Sequence, residues 1–239
     1  MPKYQALSEY AAAIAPVINA AHVNVLAAAH RAATELAETS GVTPGLLSDL
    51  RFALPLRPLP RSGLAAIRRY HDEAARAADV LAHLREGTLT DDGDGLLRLT
   101  DRGLAYVHRL YDVHAAAAAR AWAAHDPAPL AGLAARVLAH AERVPGGALE
   151  LVAPPYEPAG TPPGVLLLNR LAALRYHRAD AHAAAWRAAG LSAAEIVGLR
   201  DGPLRAGVEL ETNERAGAPY GALSAGERET LYDGLLKLV

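Results

Sequence analysis

No cysteine occurs in the 239 residues. That excludes a disulfide framework, a thiol nucleophile and a thiolate metal site, and it fits a reducing compartment, so a cytoplasmic location is expected. Lysine is almost missing as well. Lys3 and Lys237 are the only two, and arginine supplies the rest of the 24 basic residues against 26 acidic ones. A formal net charge of -2 leaves no global excess of positive potential, which a dedicated nucleic-acid binder usually carries. Bulky apolar side chains are scarce, with one Phe, one Met and two Trp. A core of alanine and leucine requires helices that approach closely. Also missing are a phosphate loop, a dinucleotide fingerprint, HExxH, GxSxG and a paired-carboxylate motif, which disfavours nucleotide-dependent and serine-hydrolase chemistry.

What is present reads as a globular helical protein, 51% hydrophobic and 21% charged, long enough for one large domain or two small ones. The apolar N-terminal stretch AAAIAPVINAAHVNVLAAA is preceded by Ser8 and Glu9 and interrupted by Asn19, His22 and Asn24, so a soluble helix and no membrane span are expected. Leu7, Ala11, Ile14, Ile18, Ala21 and Val25 form the stripe of a long helix over residues 4–38, with Pro16 a point of bending. This stripe is apolar enough to suggest a homodimer surface. Gly41 ends the helix; Thr43 and Pro44 suggest the N-cap and first position of a short one. RFALPLRPLPRSG, with Pro55, Pro58 and Pro60, reads as an extended connection.

A helix is expected over 63–86, then a hairpin in GTLTDDGDGLLRLTDRG, then a helix over 101–124 capped by Thr100. Helix, hairpin and helix make the pattern of a winged helix, with the wing at 87–100. His114 falls on the apolar stripe of the 101–124 helix, the place of a core histidine with its hydrogen bond satisfied. A helix over 129–143 follows. The expected fold is therefore mainly α, a helical protein with one winged-helix-like β-hairpin. It divides into an N-terminal helical region at 1–143, a Pro/Gly-rich connection at 144–163 and a C-terminal helical region at 164–239, separate or packed together as one domain. The last region opens with a long helix ending at Gly190 and closes with two shorter ones, the second started by the capping box Ser224 to Glu227.

The long C-terminal helix contains RYHRADAHAAAW, residues 175–186, in which histidine, aspartate and arginine crowd an alanine-rich background. Val165, Leu168, Ala172, Tyr176, Ala179, Ala183 and Trp186 fall on one side at 100° per residue, the expected buried face. His177 and Asp180 are three apart and can touch, which makes them candidates for a general base and its orienting carboxylate. His182 points about 140° away from His177, so one metal held by both is disfavoured. A zinc site would need histidines from other helices, such as His22, His30, His71 or His108, and no spacing selects them. No metal and no cofactor is expected. Arg175, Tyr176 and Arg178 suit the positioning of an anionic group, Tyr70 and His71 in RRYHDE echo Tyr176 and His177, and Glu209 and Thr212 on the penultimate helix offer a polar partner surface.

LRYHRADAHAAAWRAAGL followed by LRAGVELETNERAGAPYGAL resembles a family of actinobacterial helix-turn-helix proteins, loosely MarR-like, whose pattern falls on His177, Arg178, Asp180, His182, Arg205, Glu209, Thr212, Asn213 and Pro219. The likeness covers about 60 C-terminal residues of this chain and implies a shared winged-helix fold without a settled chemistry. Between His182 and Arg205 there is no room for a wing, so the one wing is that at 87–100. The acidic tip DDGDG would face phosphates, and the helix before it has no basic surplus, so DNA binding is expected to be weak or absent. The reading is a protein binding a small anionic molecule in a pocket of Tyr70, His71, Arg175, Tyr176, Arg178, His182, Trp186, Glu209, Thr212 and Asn213. An enzyme using His177 and Asp180, or a MarR-like transcriptional regulator, are the alternatives.

Overall fold

The computed structural model describes residues 4–239 and is mainly helical, with one small antiparallel sheet. Helix α1, Leu7–Ser40, is the spine. Its four-and-three spacing of small and branched residues buries Tyr10, Ala11, Ile14, Val17, Ile18, Ala21, Val25 and Ala29 on one stripe. Pro16 is accommodated within it, and Gly41, at a φ of 59°, closes it in the left-handed conformation that residues with a Cβ avoid. By length and mean hydropathy α1 could cross a membrane. Its apolar stripe, on which the expectation of a dimer rested, is covered within the chain by later helices.

After α1 the structure departs from the sequence reading at several points. Helix α2 is Leu46–Leu50, and its N-cap is Gly45, whose φ of 105° only glycine adopts freely. Thr43 does not cap it; its amide and hydroxyl go to the Glu86 carboxylate instead. The proline-rich stretch is not merely extended. It folds into turns, then strand β1, Leu59–Pro60, and a single 3-10 turn at Arg61–Gly63. The helix expected over 63–86 is two helices, α3 at Leu64–Ile67 and α4 at Glu73–Arg85. Asp72 makes the break, because its side chain accepts the Ala75 amide at 2.8 Å and so starts a new helix.

Strands β2, Leu89–Asp91, and β3, Leu96–Leu99, form the hairpin, and β1 pairs with β3 to give the order β1-β3-β2. Leu59, Leu89 and Leu97 point into the core. At the hairpin tip, Asp91 and Asp94 accept amides of Gly93 and Leu96, while Arg61 pairs with Asp91 and Arg98 with Asp94 and Asp92. The acidic tip is thus partly neutralised by the chain's own arginines.

Helix α5, Asp101–Ala121, starts at Thr100, which accepts the Gly103 amide at 3.0 Å as expected. Helix α8, Pro163–Ala188, packs with α1 and α5; α6, Ala128–His140, packs on α8; and α10, Pro203–Gly217, lies across α1 and α8. Short α9, Ala193–Gly198, precedes α10, and α11, Ala225–Leu236, begins with the Ser224–Glu227 capping box. The segment at 144–163 is more than a connection: it carries helix α7, Ala148–Val152, with Ala148, Leu149 and Val152 buried. One apolar cluster joins α1, α5, α6, α8, α10 and α11. A second joins the end of α1, α2 to α4, the sheet, α5 and α7. Helix α8 contributes to both, so it is buried nearly all round instead of along one stripe.

Candidate functional site

The polar residues of α8 each tie that helix to a different neighbour. Asp180 receives the amides of Ala148 and Leu149 at 3.0 and 2.8 Å, capping α7 from outside, and it pairs with Arg69, which also donates to the Ala179 carbonyl at 2.9 Å. Both carboxylate oxygens are therefore in use and the pair with Arg69 is nine-tenths buried on each side. Asp180 is placed as a brace, and the His177–Asp180 couple expected from the spacing has no hydrogen bond among those found. Burial lowers the His177 pKa, and the nearby Asp180 charge, which raises it, only partly offsets this. The direction is opposite to that of a histidine activated by a paired carboxylate. His177 and Asp180 both line a crevice of about 320 Å³, together with Glu142 and Glu214.

Next along the helix, His182 Nδ1 and the Tyr70 hydroxyl lie 3.1 Å apart, and Arg178 donates to Asn213 Oδ1 and Glu209 Oε2 at 2.8 and 3.1 Å. Tyr70, Arg178, His182, Glu209 and Asn213 are thus brought together, but as a closed, half-exposed network. Thr212 is buried and donates to the Val208 carbonyl of its own helix; Trp186 is buried against Ile196 and Val208. Neither faces a cavity.

Arg175 and Tyr176 belong to a different place. They form one wall of a cavity of about 460 Å³ between α1, α2, α5 and α8, within the range of small-molecule sites. Helical spacing builds it. His22, Leu26, Ala29 and Ala33 follow one another at four, three and four residues along α1, Tyr106 and His114 share a face of α5, and Ala172, Arg175 and Tyr176 share a face of α8. Ala29, Ala33 and Ala172 leave the space a larger side chain would fill. The turn following α2 adds Arg51 and Phe52, with the Arg51 guanidinium 4.9 Å from the Phe52 ring centre.

The polar groups of this cavity are unlike those of the network. Arg51 is 3% exposed, and apart from one bond to the Ser48 carbonyl it has no partner: its Nε and Nη2 are buried and unpaired, and no carboxylate forms an ion pair with it among the described residues. Burial lowers its pKa, and the nearby Asp49 charge only partly offsets this; a guanidinium stays charged in proteins, so the molecule holds a buried cation without a direct ion pair. His22 Nδ1 lies 3.0 Å from Arg175 Nη1. Arginine only donates, so Nδ1 accepts and the proton of the neutral ring is on Nε2, which is buried without a partner. Burial, reinforced by the Arg175 charge, pushes His22 down to about 2, and burial with the Arg51 charge pushes His114 down to about 3. His114 is a core histidine as expected, but its Nδ1 has no hydrogen bond.

A smaller crevice of about 270 Å³ adjoins this cavity and shares Asp49, Arg175 and Tyr176 with it; Tyr70 and His71 line its other side. Of the residues singled out from the sequence, Tyr70, His71, Arg175 and Tyr176 therefore meet here. Arg51, His22, His114 and Asp49 were not selected as ligand-binding residues. The only advance signal was a polar residue on an otherwise apolar helical stripe, which His22 and His114 carry and Arg51 does not. Among the described residues no group of three or more His, Asp or Glu side chains is placed to hold a metal. Comparison of the chain with protein-family models, with curated proteins and with solved structures finds no match in any of them.

Proposed function

We propose that the protein binds a small organic anion in the cavity between α1, α2, α5 and α8. One observation carries this reading: Arg51 is buried with two unpartnered donors and, among the described residues, no carboxylate in direct contact. An isolated buried charge costs several kcal/mol, and a carboxylate accepting from both donors would offset it with charge-assisted bonds. The Nε2 proton of His22 adds a third donor, and Leu26, Ala29, Ala33 and Phe52 supply an apolar wall for the rest of the molecule. The test is calorimetry and thermal shift with a panel of monocarboxylic acids and inorganic phosphate, on wild type and Arg51→Met. Binding of a carboxylate by wild type and its loss in a folded Arg51→Met protein supports the reading; equal binding by both proteins overturns it.

A ligand-responsive winged helix is the setting we propose for this site. The succession α2, β1, α3, α4, β2, β3 and the strand order β1-β3-β2 support it, as does the likeness to actinobacterial, loosely MarR-like proteins. The short turn at residues 68–72 between α3 and α4 is compatible with this setting. A specific contact favours communication with the cavity: Arg68 pairs with Asp49 of α2 at 3.2 Å and with Asp79 of α4. Helix α4 exposes Ala74, Ala77 and Leu81 and no basic surplus, so sequence-specific DNA binding is expected to be weak or absent. A mobility shift that survives physiological salt and excess competitor DNA would restore the regulator reading. An enzyme built on His177 and Asp180 has less support, because Asp180 is committed to α7 and Arg69.

A further inference from the structure

Resting on the anion reading above, we infer that the ligand is an α-amino carboxylic acid, its carboxylate on Arg51 and its ammonium on Asp49. Arg51, Arg175 and the Nε2 proton of His22 favour negative charge in the cavity. Asp49 is the exception, the one carboxylate on the cavity wall, placed two residues before Arg51 at the end of α2. It also lines the adjoining crevice, so it stands at the partition between the two spaces.

Asp49 has capacity to spare. Its one ion pair is with Arg68 Nε, at 3.2 Å and without hydrogen-bond alignment, and Arg68 is shared with Asp79. The carboxylate accepts no hydrogen bond among those found, and its side chain remains 42% exposed. A carboxylate offers about four acceptor sites, so Asp49 can take two or three N–H donors from an ammonium without releasing Arg68.

The alternation of charge explains why a simple carboxylate is a poorer fit. An anion drawn to Arg51 is brought toward the like charge of Asp49, a repulsion that water reaching the 42% exposed Asp49 side chain screens only in part. An ammonium on the carbon next to the ligand's carboxylate converts the repulsion into a second attraction. A polar group without charge could accept or donate one bond there but would not cancel the Asp49 charge. Leu26, Ala29, Ala33 and Phe52 then face the side chain of the amino acid, which favours an apolar one.

The experiment is calorimetry with matched pairs, each proteinogenic amino acid with an apolar side chain against the same acid lacking the amine, on the full chain and on Asp49→Asn. In wild type the amino acid of at least one pair should bind more than about tenfold more tightly than its partner, the gain of one charge-assisted contact. In Asp49→Asn that ratio should fall to one or below. If the acids without the amine bind wild type as tightly or more tightly, the amino-acid inference is overturned while the anion reading stands. If no member of any pair binds, both fall. Because each ratio compares two ligands on one protein, the wild-type ratio decides the matter even if Asp49→Asn fails to fold.

Discussion

The C-terminal half of α8 and the cavity beside its middle are both rich in arginine and histidine, and they behave in opposite ways. In the helix, Arg178, Asp180 and His182 each find a partner on another element. In the cavity, Arg51, His22 and His114 keep buried nitrogens with none. Buried polar groups in folded proteins are nearly always paired, so the paired set describes architecture, and on the anion reading proposed above the unpaired set awaits a ligand. Crowding of polar residue types in the sequence identifies the first kind at least as readily as the second.

The comparison can be broken most sharply at Asp180. Asp180→Asn keeps the shape but strands the buried Arg69 charge and weakens the cap on α7, so unfolding free energy should fall by about 3 kcal/mol, measured by denaturant titration. Carboxylate binding in the cavity should survive in the folded fraction; its selective loss with stability intact would return Asp180 to a ligand site. Arg51→Met is the reciprocal test. Removing two charge-assisted donors should weaken anion binding by about 100-fold, while stability stays level or rises because a buried charge without a direct ion pair has gone.

Acid sensitivity gives the next effect. The folded-state pKa values of His22 and His114, about 2 and about 3, lie below the unfolded value of 6.5. The unfolded chain therefore takes up protons first as the pH falls below 6.5, and the stability held in these neutral rings is full above that pH and lost toward the folded pKa. Each should contribute a slope of about 1.4 kcal/mol per pH unit between pH 6 and pH 4, and His114→Asn should reduce the measured proton uptake on unfolding by about one. His177 sharpens the same contrast by NMR: its pKa should lie below 6.5 in wild type and fall further in Asp180→Asn, where the carboxylate that raises it is gone. The smallest effect belongs to the half-exposed network. Tyr70→Phe and Glu209→Gln should each change stability by less than about 0.5 kcal/mol, and a larger change would mean the network is more than a surface tie.

Much of the helical layout was legible because its signals are local. Gly41, Thr100, Gly190 and Ser224 mark ends that the structure keeps, and the DDGDG turn lies between the two strands expected beside it. Asp72 was missed because a helix N-cap inside a continuous helical pattern looks like one more surface acid. β1 was missed because Leu59 and Pro60 acquire strand geometry only by pairing with β3, a contact across 38 residues for Leu59 and Leu97. The cavity was less legible still. Arg51 opens RFALPLRPLP, a proline-rich stretch that reads as an extended connection, and its burial depends on α1, α5 and α8 closing around it. Arg175 and Tyr176 were recognisable as anion-positioning types, but the partner that gives them meaning lies far off in sequence.

The grip of Asp180 on α7 also bears on the order in which the chain assembles. A helix of five residues has too few internal hydrogen bonds to persist alone, and two of its leading amides are satisfied from a carboxylate more than thirty positions later. Helix α7 therefore has to form together with the docking of α8, and the amide protons of Ala148 and Leu149 become reporters of that event. In wild type they should exchange with deuterated water only in openings that separate the two helices, whereas in Asp180→Asn they should exchange through local fraying while the centre of α8 stays protected.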